Sequence, residues 1–171
     1  MDSGWPARLL VDSHQLTVLR AVLTAAAPQE GCALLLGEPT RGRAPAPADA
    51  ASRIHAIWPC LNVWSRPEQR HERFAIDPRE QLLAQKWGRL RRWQVLGTAH
   101  SHPGSEAIPS TTDRAWAFPP ALMLILGASG ELRAWWLEEP PAAPRALPTA
   151  RELDLVTPDV RPSRGGEDLG E

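Results

Sequence analysis

His100-Ser101-His102-Pro103 and, eleven residues beyond His102, Asp113 are the residues whose types and spacing could do chemistry. They follow an apolar run, Gln94-Val95-Leu96-Gly97-Thr98-Ala99, that reads as a buried strand. Side chains alternate along a strand, so His100 and His102 project to the same side, and Pro103 ends the ladder there. Two imidazoles and a carboxylate make a three-ligand zinc set, which in catalytic sites leaves a fourth position for water. A lone His-x-His arises easily by chance, so its neighbours matter. Ser110-Thr111-Thr112-Asp113 reads as the entry to a helix, which puts Asp113 in the first turn, able to reach back toward the strand end.

Other elements must position these groups. Ala7–Val11 reads as a first strand, and Asp12 or Ser13 as the cap of a helix carrying Leu16, Leu19 and Leu23 to about Ala27. Glu30 opens the apolar strand Gly31–Gly37. Residues Glu38 to Ser52, rich in Pro, Ala and Arg, read as a loop. Strands are predicted at Ile54–Trp58 and Phe74–Ile76, separated by the polar stretch Asn62 to Arg73. Asp77-Pro78 starts a helix to about Trp93, with Leu82, Leu83, Trp87 and Leu90 as its apolar face. Ala121–Leu126 is a central strand buried on both faces, and Glu131–Leu137 its neighbour. Most of the eight Trp fall in or beside these elements and are read as core. His14, His55 and His71 fit no ligand spacing and are read as surface or structural residues.

A distant Glu30, then His100-x-His102-Pro103, six residues, and Ser110-x-x-Asp113 resemble the signature of the JAMM/MPN+ zinc metallopeptidases. The strand Glu30-Gly-Cys-Ala-Leu-Leu-Leu-Gly37, Asn62-Val63 and Arg73-Phe74-x-Ile76-Asp77-Pro78 resemble the bacterial branch. The resemblance implies an α/β fold of the three-layer cytidine-deaminase-like MPN type, a mixed, curved sheet flanked by helices. It implies that His100, His102 and Asp113 hold one Zn²⁺, that Glu30 activates the metal-bound water, and that Ser110 donates to the oxyanion. The substrate it implies is a ubiquitin-like or sulfur-carrier protein, cut after a Gly-Gly tail. Two rival readings are a non-catalytic scaffold of the same fold and a zinc deaminase. Scaffold versions lose motif residues, all five of which are present here, and the deaminase elements His-x-Glu and Pro-Cys-x-x-Cys are absent.

At 171 residues the chain suits one domain, expected over 1–138 with a loop insertion at 38–53. The segment 139–171 reads as a Pro/Ala-rich tail with at most one edge strand at 151–157, otherwise disordered. A net charge of −1 shows no basic stripe and argues against general nucleic-acid binding. The two cysteines, Cys32 and Cys60, form no disulfide framework and no CxxC motif. No apolar run reaches the roughly 18 residues of a membrane span. A cytoplasmic enzyme without nucleic-acid or membrane partners is the expectation.

Overall fold

The computed structural model describes residues 6–38, 51–140 and 146–158. It is a mixed α/β structure with strands β1 (Arg8–Val11), β2 (Cys32–Glu38), β3 (Ala51–Cys60), β4 (Gln94–Ser101), β5 (Ala121–Leu126), β6 (Leu132–Glu138) and β7 (Thr149–Val156). Three helices accompany them: α1 (Ser13–Ala25), α2 (Pro78–Arg89) and α3 (Thr111–Trp116). No helix among the described residues is long and apolar enough to cross a membrane.

The strands run in the order β1-β3-β2-β4-β5-β6-β7, and β7 then pairs with β1, closing the sheet into a barrel. β1 is parallel to both β3 and β7, and β4 is parallel to β5; the remaining pairs are antiparallel. The strand expected at the edge is therefore not an edge: β7 is paired on both sides, with β6 and with β1. Closure removes the unpaired backbone groups that an edge would leave open. Of the expected loop, Glu38 ends β2 and Ala51 begins β3, while 39–50 lie outside the described residues, as do 159–171 of the expected tail.

One core gathers Leu9 and Val11 of β1, Leu19 and Leu23 of α1, and inward residues of every other strand, such as Leu35, Ile54, Ala99, Leu124, Ala134 and Leu153. Alternation along β2 sends Ala33 and Leu35 to that core and Leu34 and Leu36 to the opposite side, against Ala84 of α2. β2 is thus covered on both faces, which is why it reads as an uninterrupted apolar run.

Three local expectations are corrected. Phe74–Ile76 is not a strand but an irregular lead into α2, held by a Val63 N to Ala75 O hydrogen bond of 2.9 Å. α2 buries Ala84 and Gly88, whereas Leu82, Leu83 and Leu90 are 63%, 52% and 80% exposed. The helix lies so close to the sheet that a Cβ on Gly88 would sit 3.2 Å from Leu36 Cδ2, and small residues face inward for that reason. The reading of the tryptophans as core holds for buried Trp135 and for Trp58, Trp87 and Trp136, which pack partly buried against the core, and fails at Trp116, which is 68% exposed.

Candidate functional site

The site lies at the carboxyl ends of the parallel pair β4 and β5. His100 is on β4 opposite Ile125, and His102 follows just beyond, its N–H donating to Leu126 O at 2.8 Å. Ser101, between them, points the other way. Its Oγ accepts from Gly31 N at 2.8 Å and donates to Leu23 O at 3.3 Å, so it ties the end of α1 to the start of β2. That junction is close-packed: a Cβ on Gly31 would come within 2.5 Å of Leu23 O, so only glycine can follow Glu30 without a shift.

α3 supplies the carboxylate. Ser110 caps it, with Oγ accepting from Asp113 N at 3.1 Å while Asp113 Oδ2 accepts from Ser110 N at 2.7 Å. This reciprocal capping box fixes the Asp113 rotamer as well as starting the helix. Asp113 Oδ1 lies 3.3 Å from His100 Nε2, its Oδ2 lies 3.3 Å from His102 Nε2, and the two Nε2 atoms are 3.0 Å apart. These three residues form a group able to hold a metal ion.

The donor set fits a cation. His102 Nδ1 meets the Glu106 carbonyl at 2.8 Å; a carbonyl only accepts, so Nδ1 carries the proton and Nε2 turns its lone pair to the centre. Four donors at about 2.0–2.1 Å from zinc stand roughly 3.3 Å from one another on tetrahedral geometry. The observed separations are close to that edge. His100 is fully buried and stacks on Phe74 with ring centroids 4.5 Å apart, and its Nδ1 has no hydrogen-bond partner among the described residues.

Glu30 stands just outside this cluster, its Oε1 4.0 Å from His102 Nε2 and its Oε2 covered and without a hydrogen-bond partner among the described residues. Burial pushes its carboxyl up to about 7, against the lowering effect of His102 and with help from Asp113 and Glu72. Burial would also raise Asp113, but hydrogen bonds from both imidazoles outweigh it and hold that carboxyl well below the usual carboxylate range. Burial lowers His100, and the bond to Asp113 does not restore it. For His102 burial is overcome by Asp113 and the Glu106 carbonyl, and its pKa rises.

A groove of about 370 Å³ opens beside the cluster, lined by Glu30, His102, Ser110, Thr112, Gly104, Ser105 and the His71-Glu72-Arg73 loop. All five residues singled out from the sequence thus converge. His71, read as a surface residue, is exposed yet forms part of the wall, and His14 and His55 lie away from this lining. Sequence reading missed the Glu106 carbonyl, Phe74 and the bracing role of Asn62. Asn62 Nδ2 donates to Glu30 O at 3.1 Å and to Arg73 O at 2.9 Å, and its Oδ1 accepts from Trp64 N at 3.0 Å. The resemblance of Asn62-Val63 and Arg73-Phe74 to the bacterial branch marked the region without giving these contacts.

A sequence profile of prokaryotic homologs of the JAB domain matches residues 12–138. The chain belongs to that family. Among curated relatives, a desampylase of Pyrococcus furiosus is 28% identical over 135 residues, covering 77% of this chain and 82% of the relative. A desampylase of Haloferax volcanii is 31% identical over 108 residues, covering 63% of this chain and 68% of the relative. The solution structure of a protein from Desulfitobacterium hafniense superposes with a TM-score of 0.67 at 28% identity, covering 88% of this chain and 94% of the other. One from Salinibacter ruber gives 0.58 at 28% identity, with 88% and 92% covered. The JAB match runs from the N-cap of α1 to the end of β6; β1 and β7, which pair with each other, lie outside it.

Proposed function

We propose that this JAB-family chain is a zinc-dependent peptidase or isopeptidase that hydrolyses the bond after the Gly-Gly-type tail of a ubiquitin-like protein. The observation that carries the reading is the convergence of His100, His102 and Asp113, whose ligand atoms all lie within 4.8 Å of one another, with Glu30 one step outside. Two relatives named as desampylases support a ubiquitin-like conjugate as substrate. The sandwiching of β2 between α1 and α2 supports the deaminase-like layering expected of MPN domains.

His100 Nε2, His102 Nε2 and a carboxylate oxygen of Asp113 would hold the ion. Bound there, zinc would supply a Lewis acid and bring the pKa of a water toward about 7. Glu30 would be the group that accepts a proton from the attacking water and returns it to the departing amine nitrogen. Ser110 Oγ accepts one hydrogen bond as a cap, and its own O–H remains available to the oxyanion from the groove wall.

The test has two arms. Elemental analysis of unchelated protein should give one zinc per chain, lost in Asp113→Ala. Glu30→Gln should retain zinc but process a ubiquitin-like protein extended beyond Gly-Gly about 10²–10⁴-fold more slowly. Absence of zinc uptake, or full activity in Glu30→Gln, would overturn the reading.

A further inference from the structure

Arg73 lines the same groove as Glu30 and His102. Asn62 ties its carbonyl to the Glu30 carbonyl, and Glu30 N donates to Arg70 O at 2.7 Å, so the Arg73 loop and the start of β2 are locked together. The guanidinium rests 5.5 Å from the ring centre of Trp64. Trp64 is itself held by Gln69 Oε1 at 3.1 Å and packs edge-on against Trp116 of α3 at 5.7 Å. A long cationic side chain is thereby held in place before any ligand arrives.

What it lacks is a counter-charge. Arg133 forks onto Glu152 and Arg79 onto Asp77, while Arg70 and Arg114 reach the carbonyls of Trp64 and Pro148. The Arg73 guanidinium has no hydrogen bond or ion pair with any described residue, and its Nε is covered without an acceptor among them. A main-chain carbonyl could satisfy an N–H but would leave the charge unmatched. A carboxylate satisfies both, and its two oxygens match the planar guanidinium.

We propose that Arg73 is a carboxylate receptor that binds the free C-terminus of a short extension being removed from the ubiquitin-like tail. This rests on the hydrolase reading of the site. Arg73 shares one groove of about 370 Å³ with Glu30 and His102, room for a few residues and not for a folded protein, so the recognised carboxylate lies close to the scissile bond. The consequence is a preference for trimming short extensions over releasing proteins joined through a lysine, which bring no terminal carboxylate to that position.

The experiment uses a ubiquitin-like protein carrying a two-residue extension past Gly-Gly, with either a free carboxylate or a carboxamide at its end. Wild type should favour the carboxylate form in kcat/KM on the order of 10- to 100-fold, mostly through KM. Arg73→Ala should abolish that preference and keep its zinc, kcat/KM falling far more on the carboxylate form than on the carboxamide form. Equal losses on both substrates, or no preference in wild type, would overturn the proposal. Calorimetry with Glu30→Gln and the corresponding tail peptides separates this from the hydrolase reading. Tighter binding of the carboxylate peptide, lost in Glu30→Gln/Arg73→Ala, supports the receptor even if neither substrate is cleaved. Equal affinity for the two peptides, or binding of neither, refutes it.

Discussion

Trp135→Phe should weaken zinc binding although Trp135 belongs to neither the ligand set nor the groove lining. The indole Nε1 donates to Ala107 O at 2.9 Å, both residues being buried. Ala107 sits in the loop between the two halves of the site, next to Glu106, whose carbonyl orients His102 through Nδ1 at 2.8 Å. The same loop is tied to the β5–β6 connection by Ala128 N donating to Ser105 O at 2.8 Å. Phenylalanine keeps an aromatic ring, including a face for Arg133, whose guanidinium carbon lies 4.7 Å from the ring centre, and removes the N–H donor. A buried carbonyl left without its partner costs about 1–3 kcal/mol. In a chain of this size that corresponds to a melting temperature lower by roughly 2–12 °C. A loosened Glu106 carbonyl no longer fixes the His102 tautomer, and losing such a support reduces metal affinity about 10–100-fold. Chelator competition measures the affinity, and urea unfolding of the chelated protein measures the stability. Zinc affinity within twofold of wild type, with stability reduced as stated, would refute the coupling from Trp135 through the loop to His102.

Ser110→Ala removes both a cap and an O–H donor: stability should fall by about 1 kcal/mol and kcat by about 10²–10³-fold. Ser110→Thr should recover both, and a lowered melting temperature with unchanged kcat would leave the cap as the residue's whole role. Burial pushes the Cys32 thiol up to about 12 and the Cys60 thiol up to about 11, from 9.0 in each case. Burial disfavours the thiolate, so the reactive fraction near pH 8 should fall roughly 10³-fold and 10²-fold. Iodoacetamide at that pH should leave both thiols intact in the folded protein and label both in denaturant; rapid labelling of the folded form would contradict the packing around β2.

The sequence by itself determined which side chains meet at the site. His100 and His102 share a strand face, and Asp113 is set in a first turn by Ser110, because those relations are local and follow from element periodicity and capping. Local pattern also marked α1 through Leu19 and Leu23, and β5 through its apolar run. Tertiary structure alone decided the pairing of Arg8–Leu10 with Asp154–Val156, since partners so far apart in the chain leave no shared local signature. It decided the buried face of α2, where the closeness of the sheet selects Ala84 and Gly88 over the larger Leu82 and Leu83. It also decided which backbone atoms serve the site. The Glu106 carbonyl on His102 and the carbonyls gathered by Asn62 act through groups that every residue carries, so no choice of side chain at those positions announces them.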